Sequence, residues 1–149
     1  MKNCSCGTVL VLLLAVLCLS CQDEEPIALS LSAGQTQNAV LGKWKIQKVD
    51  YQLCRSGSCK TTNYTGAPDD YFEFRRDSAF LVHNTANGLK KKEAFKAEYT
   101  LPNAFILTHN FWSARYNVKE CKPNKMVLEC SYVGSDPYAI FTDTYHLYR

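Results

Sequence analysis

Trp112-Ser-Ala-Arg-Tyr-Asn-Val-Lys-Glu120 and the run after it, Cys121-Lys-Pro-Asn-Lys-Met-Val-Leu-Glu-Cys-Ser-Tyr132, decide the fold. Trp112, Ala114, Tyr116 and Val118 alternate with Ser113, Arg115, Asn117 and Lys119, the period-two pattern of a strand with one buried face. Lys122-Pro123-Asn124 supplies turn chemistry, and beyond it Met126, Leu128, Cys130 and Tyr132 share one face against Val127, Glu129 and Ser131. Two such strands across a short turn make an antiparallel hairpin.

Upstream the pattern repeats. Phe95, Ala97, Tyr99 and Leu101 alternate with Lys96, Glu98 and Thr100, and Pro102-Asn103 turns the chain into Ala104–Thr108. Gly42–Leu53, Tyr71–Arg76, Ala79–Val82 and Tyr138–Arg149 complete eight strand candidates, and only Gln37–Leu41 has the makings of a helical turn. Eight short strands joined mostly by short turns suit an all-β, antiparallel up-and-down barrel, because closure removes the exposed edges of an open sheet. A sandwich is the alternative. Phe72, Phe74, Phe95, Tyr99, Tyr116, Leu128, Tyr132 and Tyr145 are the expected inward side chains, which either line a pocket or plug it.

The first residues have a separate purpose. Lys2 precedes the apolar run Thr8–Leu19, which has the length of the 7–15-residue core of an export signal and falls short of the ~20 residues of a spanning helix. Residues 1–20 are therefore expected to be a signal peptide, residues 21–37 a polar tether, and residues 38–149 one domain. Leu17-Cys18-Leu19-Ser20-Cys21 resembles the lipobox of bacterial lipoproteins, which implies lipidation of Cys21 and membrane attachment through its acyl chains. The alternative is ordinary cleavage nearby and a soluble secreted product. Gln22-Asp23-Glu24-Glu25 resembles the acidic signal that sends Bacteroidetes lipoproteins to the outer face of the outer membrane, which implies display at the cell surface rather than on the periplasmic side.

Without the signal, 129 residues remain (149 − 20), with 16 basic residues against 14 acidic. A net charge near +2 offers no nucleic-acid footprint. Of eight cysteines, Cys54, Cys59, Cys121 and Cys130 remain after the signal and Cys21 are set aside. Their spacings lack the Cys-x2-Cys knuckle of structural zinc sites, and the compartment is oxidising. A Cys54–Cys59 bridge closing a small Arg-Ser-Gly-Ser ring is favoured, and one between Cys121 and Cys130 is disfavoured by strand register.

Leu41-Gly42-Lys43-Trp44 resembles the Gly-x-Trp opening of lipocalins, and Tyr145-x-Leu147-x-Arg149 resembles their last strand, where an arginine packs across that tryptophan. With Tyr71-Phe-Glu-Phe74 and Glu98–Asn103 between them, the order is similar to that of short lipocalin-like lipoproteins of Bacteroidetes over about residues 38–149. The resemblance implies that Gly42, Trp44 and Arg149 close the barrel floor.

In an alternating barrel the odd-numbered connections share one end. That end is expected to receive the long segment Cys54–Asp70, read as a lid carrying Tyr64, with Lys90-Lys91-Lys92, Phe111-Trp112 and Asp136-Pro137-Tyr138. Tyr64, Lys90, Phe111, Trp112, Tyr116, Tyr132 and Tyr138 are the ligand-contact candidates, and aromatics beside lysines suggest an amphipathic acid or a glycan. A small apolar or amphipathic ligand is the first reading; a solid barrel serving as an interaction module for a partner protein or surface polysaccharide is the second. His83, His109 and His146 fall on separate segments, Asp69-Asp70 has no evident partner, and no nucleophile motif occurs, so neither catalysis nor a metal or cofactor is expected.

Overall fold

A computed structural model describes residues 30–84, 88–136 and 138–149. The expected signal peptide, Cys21, the acidic tetrapeptide and Pro137 lie outside the described residues. Among the described residues one helix, α1 (Ala33–Val40), precedes nine strands: β1 (Gly42–Arg55), β2 (Ser58–Thr65), β3 (Tyr71–Phe74), β4 (Ser78–Asn84), β5 (Lys90–Leu101), β6 (Ala104–His109), β7 (Trp112–Lys122), β8 (Lys125–Val133) and β9 (Ala139–Tyr148).

Every neighbouring pair from β3 to β9 is antiparallel, and β1 closes the circle by pairing with β9 along Lys45–Arg55 and with β3 along Gly42–Lys45. Beyond Lys48 the β3 edge of β1 is taken by β2. β2 and β3 thus follow one another along the same edge of β1 as a single interrupted strand, and the barrel is eight-stranded. At the interruption the Gly66 N–H donates to the Gln47 carbonyl (3.0 Å) and the Ile46 N–H to the Asp70 carbonyl (3.1 Å), so pairing continues on both sides of an extruded loop. A Cβ on Gly66 would sit 1.9 Å from the Ile46 carbonyl oxygen, so only glycine fits this crossing.

The expected lid over Cys54–Asp70 is a correction: Cys54 pairs with Cys59 and Arg55 with Ser58 across a two-residue turn, so most of the segment is hairpin. Ser56 (φ 50°) and Gly57 (φ 80°) both have positive φ, the type I′ geometry that matches strand twist. The Cys54–Cys59 disulfide is present with Cα atoms 4.0 Å apart, and Cys121 and Cys130 are free. The lysine run expected in a connection is likewise strand, opening β5 opposite Val82–Asn84.

The helix starts four residues before the turn expected at Gln37, so part of the stretch read as tether is packed structure. A reciprocal Ser32–Gln35 capping box starts it. Asn103, left-handed at φ 51° in the β5–β6 turn, anchors it: its side-chain carbonyl accepts from the Leu31 N–H (2.6 Å), and its own N–H donates to the Thr36 hydroxyl (3.0 Å). α1 therefore lies against the end of the barrel that carries the β5–β6 turn.

Inside that end, Trp44 is fully buried; its indole N–H donates to the Val40 carbonyl (2.8 Å), and the Arg149 guanidinium stacks on its ring at 4.0 Å. Arg149 also donates to the carbonyls of Leu41 (3.1 Å) and Pro123 (2.9 Å), tying three chain segments together. Gly42 sits at φ +111°, and a Cβ there would approach the Arg149 guanidinium to 3.4 Å. Above this floor the rings of Phe72, Phe74, Phe105 and Tyr116 pack, two pairs stacked and two edge-on, at centroid distances of 4.4–6.0 Å and fill the lower barrel.

Candidate functional site

The inward faces change character from floor to mouth. Along β7 they run from Val118 and Tyr116, both buried, through Ala114 to the half-exposed Trp112; along β8 from Leu128 and Cys130, both buried, to the half-exposed Tyr132. On β5, Phe95 is buried and Glu93 stands above it; on β9, Tyr145 is buried and Asp143 stands above it. The small side chain of Ala114 and the tilt of the upper rings leave a cavity of about 490 Å³ in this half, lined by Leu81, Glu93, Phe95, Trp112–Ala114, Tyr116, Cys130, Tyr132, Val133, Asp143 and Tyr145. The choice between plug and pocket thus resolves by level: rings plug the lower barrel, and the upper barrel is hollow.

The cavity wall is aromatic. Phe95 meets Trp112 edge-on at 5.9 Å, and Tyr132 stacks on Phe141 at 5.3 Å. A smaller space of about 180 Å³, lined by residues of β1, β2, β4, β5 and β9, shares Leu81, Glu93 and Tyr145 with it.

The electrostatics come from acids. Burial pushes the Asp143 carboxyl up to about 6, with a hydrogen bond from Tyr132 pulling the other way. Burial likewise pushes the Cys130 thiol up to about 11 and the Tyr116 and Tyr145 hydroxyls well above their ordinary value, so all three stay protonated at neutral pH. Glu93 has the Lys91 ammonium at 3.0 Å and the His83 imidazole at 3.7 Å.

Of the seven ligand-contact candidates, Trp112, Tyr116 and Tyr132 come together in the cavity, and four do not. Tyr64 faces the smaller space, and its hydroxyl donates to Asp70, which is fully buried and also accepts from the N–H groups of Ala67 (2.7 Å) and Asn84 (3.1 Å). Asp70 thereby pins the loop between β2 and β3, a partner set that sequence reasoning missed. Lys90 is drawn to Asp69 on the outer surface (3.2 Å). Phe111 and Tyr138 project from their turns into solvent, since a turn tip beyond the last ladder pair has no wall to fold against. Glu93, Leu81, Cys130 and Asp143 were not anticipated as lining residues; the alternation Asp143-x-Tyr145-x-Leu147 carries the signal that places Asp143 inside.

The histidines stay apart: His83 lies by Glu93, His109 bonds to the Ala94 carbonyl (2.8 Å) and His146 to Asp50 (2.9 Å). Among the described residues no group of three His, Cys, Asp or Glu side chains is placed to hold a metal ion.

No protein-family model and no curated protein sequence matches this chain. Among solved structures it is similar to a lipocalin-like protein from Bacteroides uniformis, at 9% identity and a TM-score of 0.47 over 74% of this chain and 98% of that one. It is also similar to insecticyanin from the tobacco hornworm Manduca sexta, at 15% identity and a TM-score of 0.49 over 83% of this chain and 67% of that one. The barrel is lipocalin-like. That description rests on the strand order, the closure of β1 on β9 and the Trp44–Arg149 floor.

Proposed function

We propose that this chain is a lipid-anchored, non-catalytic lipoprotein of the outer membrane that binds one small apolar or amphipathic molecule in the upper half of its barrel. The observation that carries the reading is the hollow upper level, about 490 Å³ walled by Phe95, Trp112, Tyr116, Tyr132 and Tyr145 above a packed floor. That volume lies within the ~300–1,000 Å³ of small-molecule sites, and its mixture of rings with a few polar tips is their usual chemistry. Native mass spectrometry of the protein purified from its natural host, followed by solvent extraction, tests it. A co-purifying small molecule at one per chain is expected; an empty protein from every growth condition contradicts it.

The anchor is supported by the apolar run ending at Ser20-Cys21. Cys21→Ala should move the protein from the membrane to the soluble fraction, and retention in the membrane refutes lipidation as the tie. Surface display, suggested by Gln22–Glu25, predicts that protease added to intact cells removes the domain; full protection places it on the periplasmic side.

A second reading, docking to a partner protein or surface polysaccharide, has one observation in its favour. Phe111, Val133, Tyr138 and Ile140 are exposed on or beside the turns at the mouth. A Phe111→Ser, Tyr138→Ser double variant that loses a partner while keeping the extracted ligand supports docking alongside binding.

A further inference from the structure

The polar groups of the cavity differ in sign from what the lysine run suggests. Its lining includes two carboxylates, Glu93 and Asp143, and no basic side chain. Glu93 is already paired with Lys91 and approached by His83. Asp143 has no ion pair among the described residues. The titratable groups that face it are Tyr51 on β1, Glu93 on β5, Tyr116 on β7, Cys130 and Tyr132 on β8, and Tyr145 on its own strand, each neutral or acidic at neutral pH. A half-buried carboxylate without a counter-ion is unfavourable, and the Tyr132 hydrogen bond compensates only part of that.

Tyr116, Tyr132 and Tyr145 are near enough to interact with it electrostatically, and with Phe95 and Trp112 they line the same cavity with rings, whose negative faces attract cations and whose area accepts an apolar body. We infer that the ligand of this cavity is an amphipathic amine, its ammonium paired with Asp143 and its apolar part held among Phe95, Trp112 and Tyr116. This rests on the cavity being a binding site, as proposed above, and adds the sign of the ligand's charge. Lys91 does not compete for Asp143, because it is held at 3.0 Å by Glu93.

Three probes of matched shape test the sign by isothermal titration calorimetry on the purified protein: 1-naphthylmethylamine, 1-naphthylmethanol and 1-naphthylacetate. At pH 7.5 the amine should bind roughly tenfold or more tighter than the alcohol, as a charge-assisted hydrogen bond allows, and the acetate weakest. Asp143→Asn should remove the preference for the amine, so that amine and alcohol bind the variant with similar affinity. Because Asp143 titrates near 6, the unsubstituted protein should also bind the amine roughly tenfold more weakly at pH 5.0 than at pH 7.5, with no such change for the alcohol. That pH titration reads the same group without any substitution, so it decides the question even if the variant folds poorly.

An amine no tighter than the alcohol, or an amine affinity that neither Asp143→Asn nor acid reduces, overturns the inference. If the alcohol or acetate binds and the amine does not, the charge assignment fails and the binding cavity stands. If no probe binds, both fail.

Discussion

Replacing Trp44 by alanine removes the side chain on which the lower barrel closes. Its indole is fully buried, donates one hydrogen bond to Val40, and carries the Arg149 guanidinium on its face. An indole takes on the order of 150–250 Å² out of water, and at ~25 cal/mol per Å² this corresponds to roughly 4–6 kcal/mol of burial. Alanine retains part of that burial and the walls relax somewhat, whereas the Val40 carbonyl loses its partner. The net is about 3–5 kcal/mol, as for other buried tryptophan truncations. The cation–π contact adds on the order of 0.5–1 kcal/mol, since Arg149 is exposed. Urea unfolding followed by far-UV circular dichroism measures the change without relying on the removed fluorophore. For a domain of this size the melting temperature should fall by roughly 10–25 °C. Trp112→Ala, at a residue 46% exposed, should cost about 1 kcal/mol or less. A Trp44→Ala loss under about 1 kcal/mol, or a larger loss for Trp112→Ala, refutes the division into a structural floor and a binding mouth.

Gly66→Ala should destabilise by about 3 kcal/mol or more in the same assay, because its Cβ would collide with backbone rather than with a yielding side chain; a neutral result contradicts the strand crossing. Asp143→Asn should raise the melting temperature at pH 7.5. The folded state holds this carboxyl at about 6 against an ordinary 3.8, so its contribution to stability is fully present below about pH 4 and lost as pH rises through 6. The gain from asparagine should therefore vanish below about pH 4, and a pH-independent difference contradicts the assignment. Arg149→Ala should lower stability by about 1–2 kcal/mol through the lost stack and two carbonyl bonds, measured by thermal melts.

The strands were legible because each has one face in the core. Trp112–Glu120 and Met126–Tyr132 alternate so regularly that their inward residues could be named from the sequence, and Trp44 and Arg149 lie together as the lipocalin resemblance implies. β2 was not legible: seven of its eight residues are exposed, so no buried face imposes a period, and its pairing with β1 is set by the turn at Ser56-Gly57. The helix escaped because Ala33–Val40 buries only Thr36 and Val40, too few apolar residues for a stripe; the Ser32-x-x-Gln35 capping box was its available sign.

Within the site, ring positions follow from strand parity, whereas the four candidates that lie outside the larger cavity rest on closeness to connections. Proximity to a turn fixes the end of the barrel but not the direction of the side chain, which is why Phe111 and Tyr138 point outward. For Lys90 the charge adds to the position, but its neighbour Asp69 competes for it from a loop whose path depends on the buried Asp70. Asp143 belongs to no motif that assigns it a role, and its parity with Tyr145 and Leu147 is what puts it inside.

The most direct test of the central claim, that the hollow upper barrel is a binding site, fills it. Ala114 is 9% exposed and lines the cavity on β7, above the packed rings. Calorimetric titration of 1-naphthylmethanol should give one site per chain in the unsubstituted protein and no detectable binding in Ala114→Trp, with the Trp44–Arg149 floor and the circular dichroism spectrum of the barrel unchanged. Equal binding by the two proteins would contradict the account.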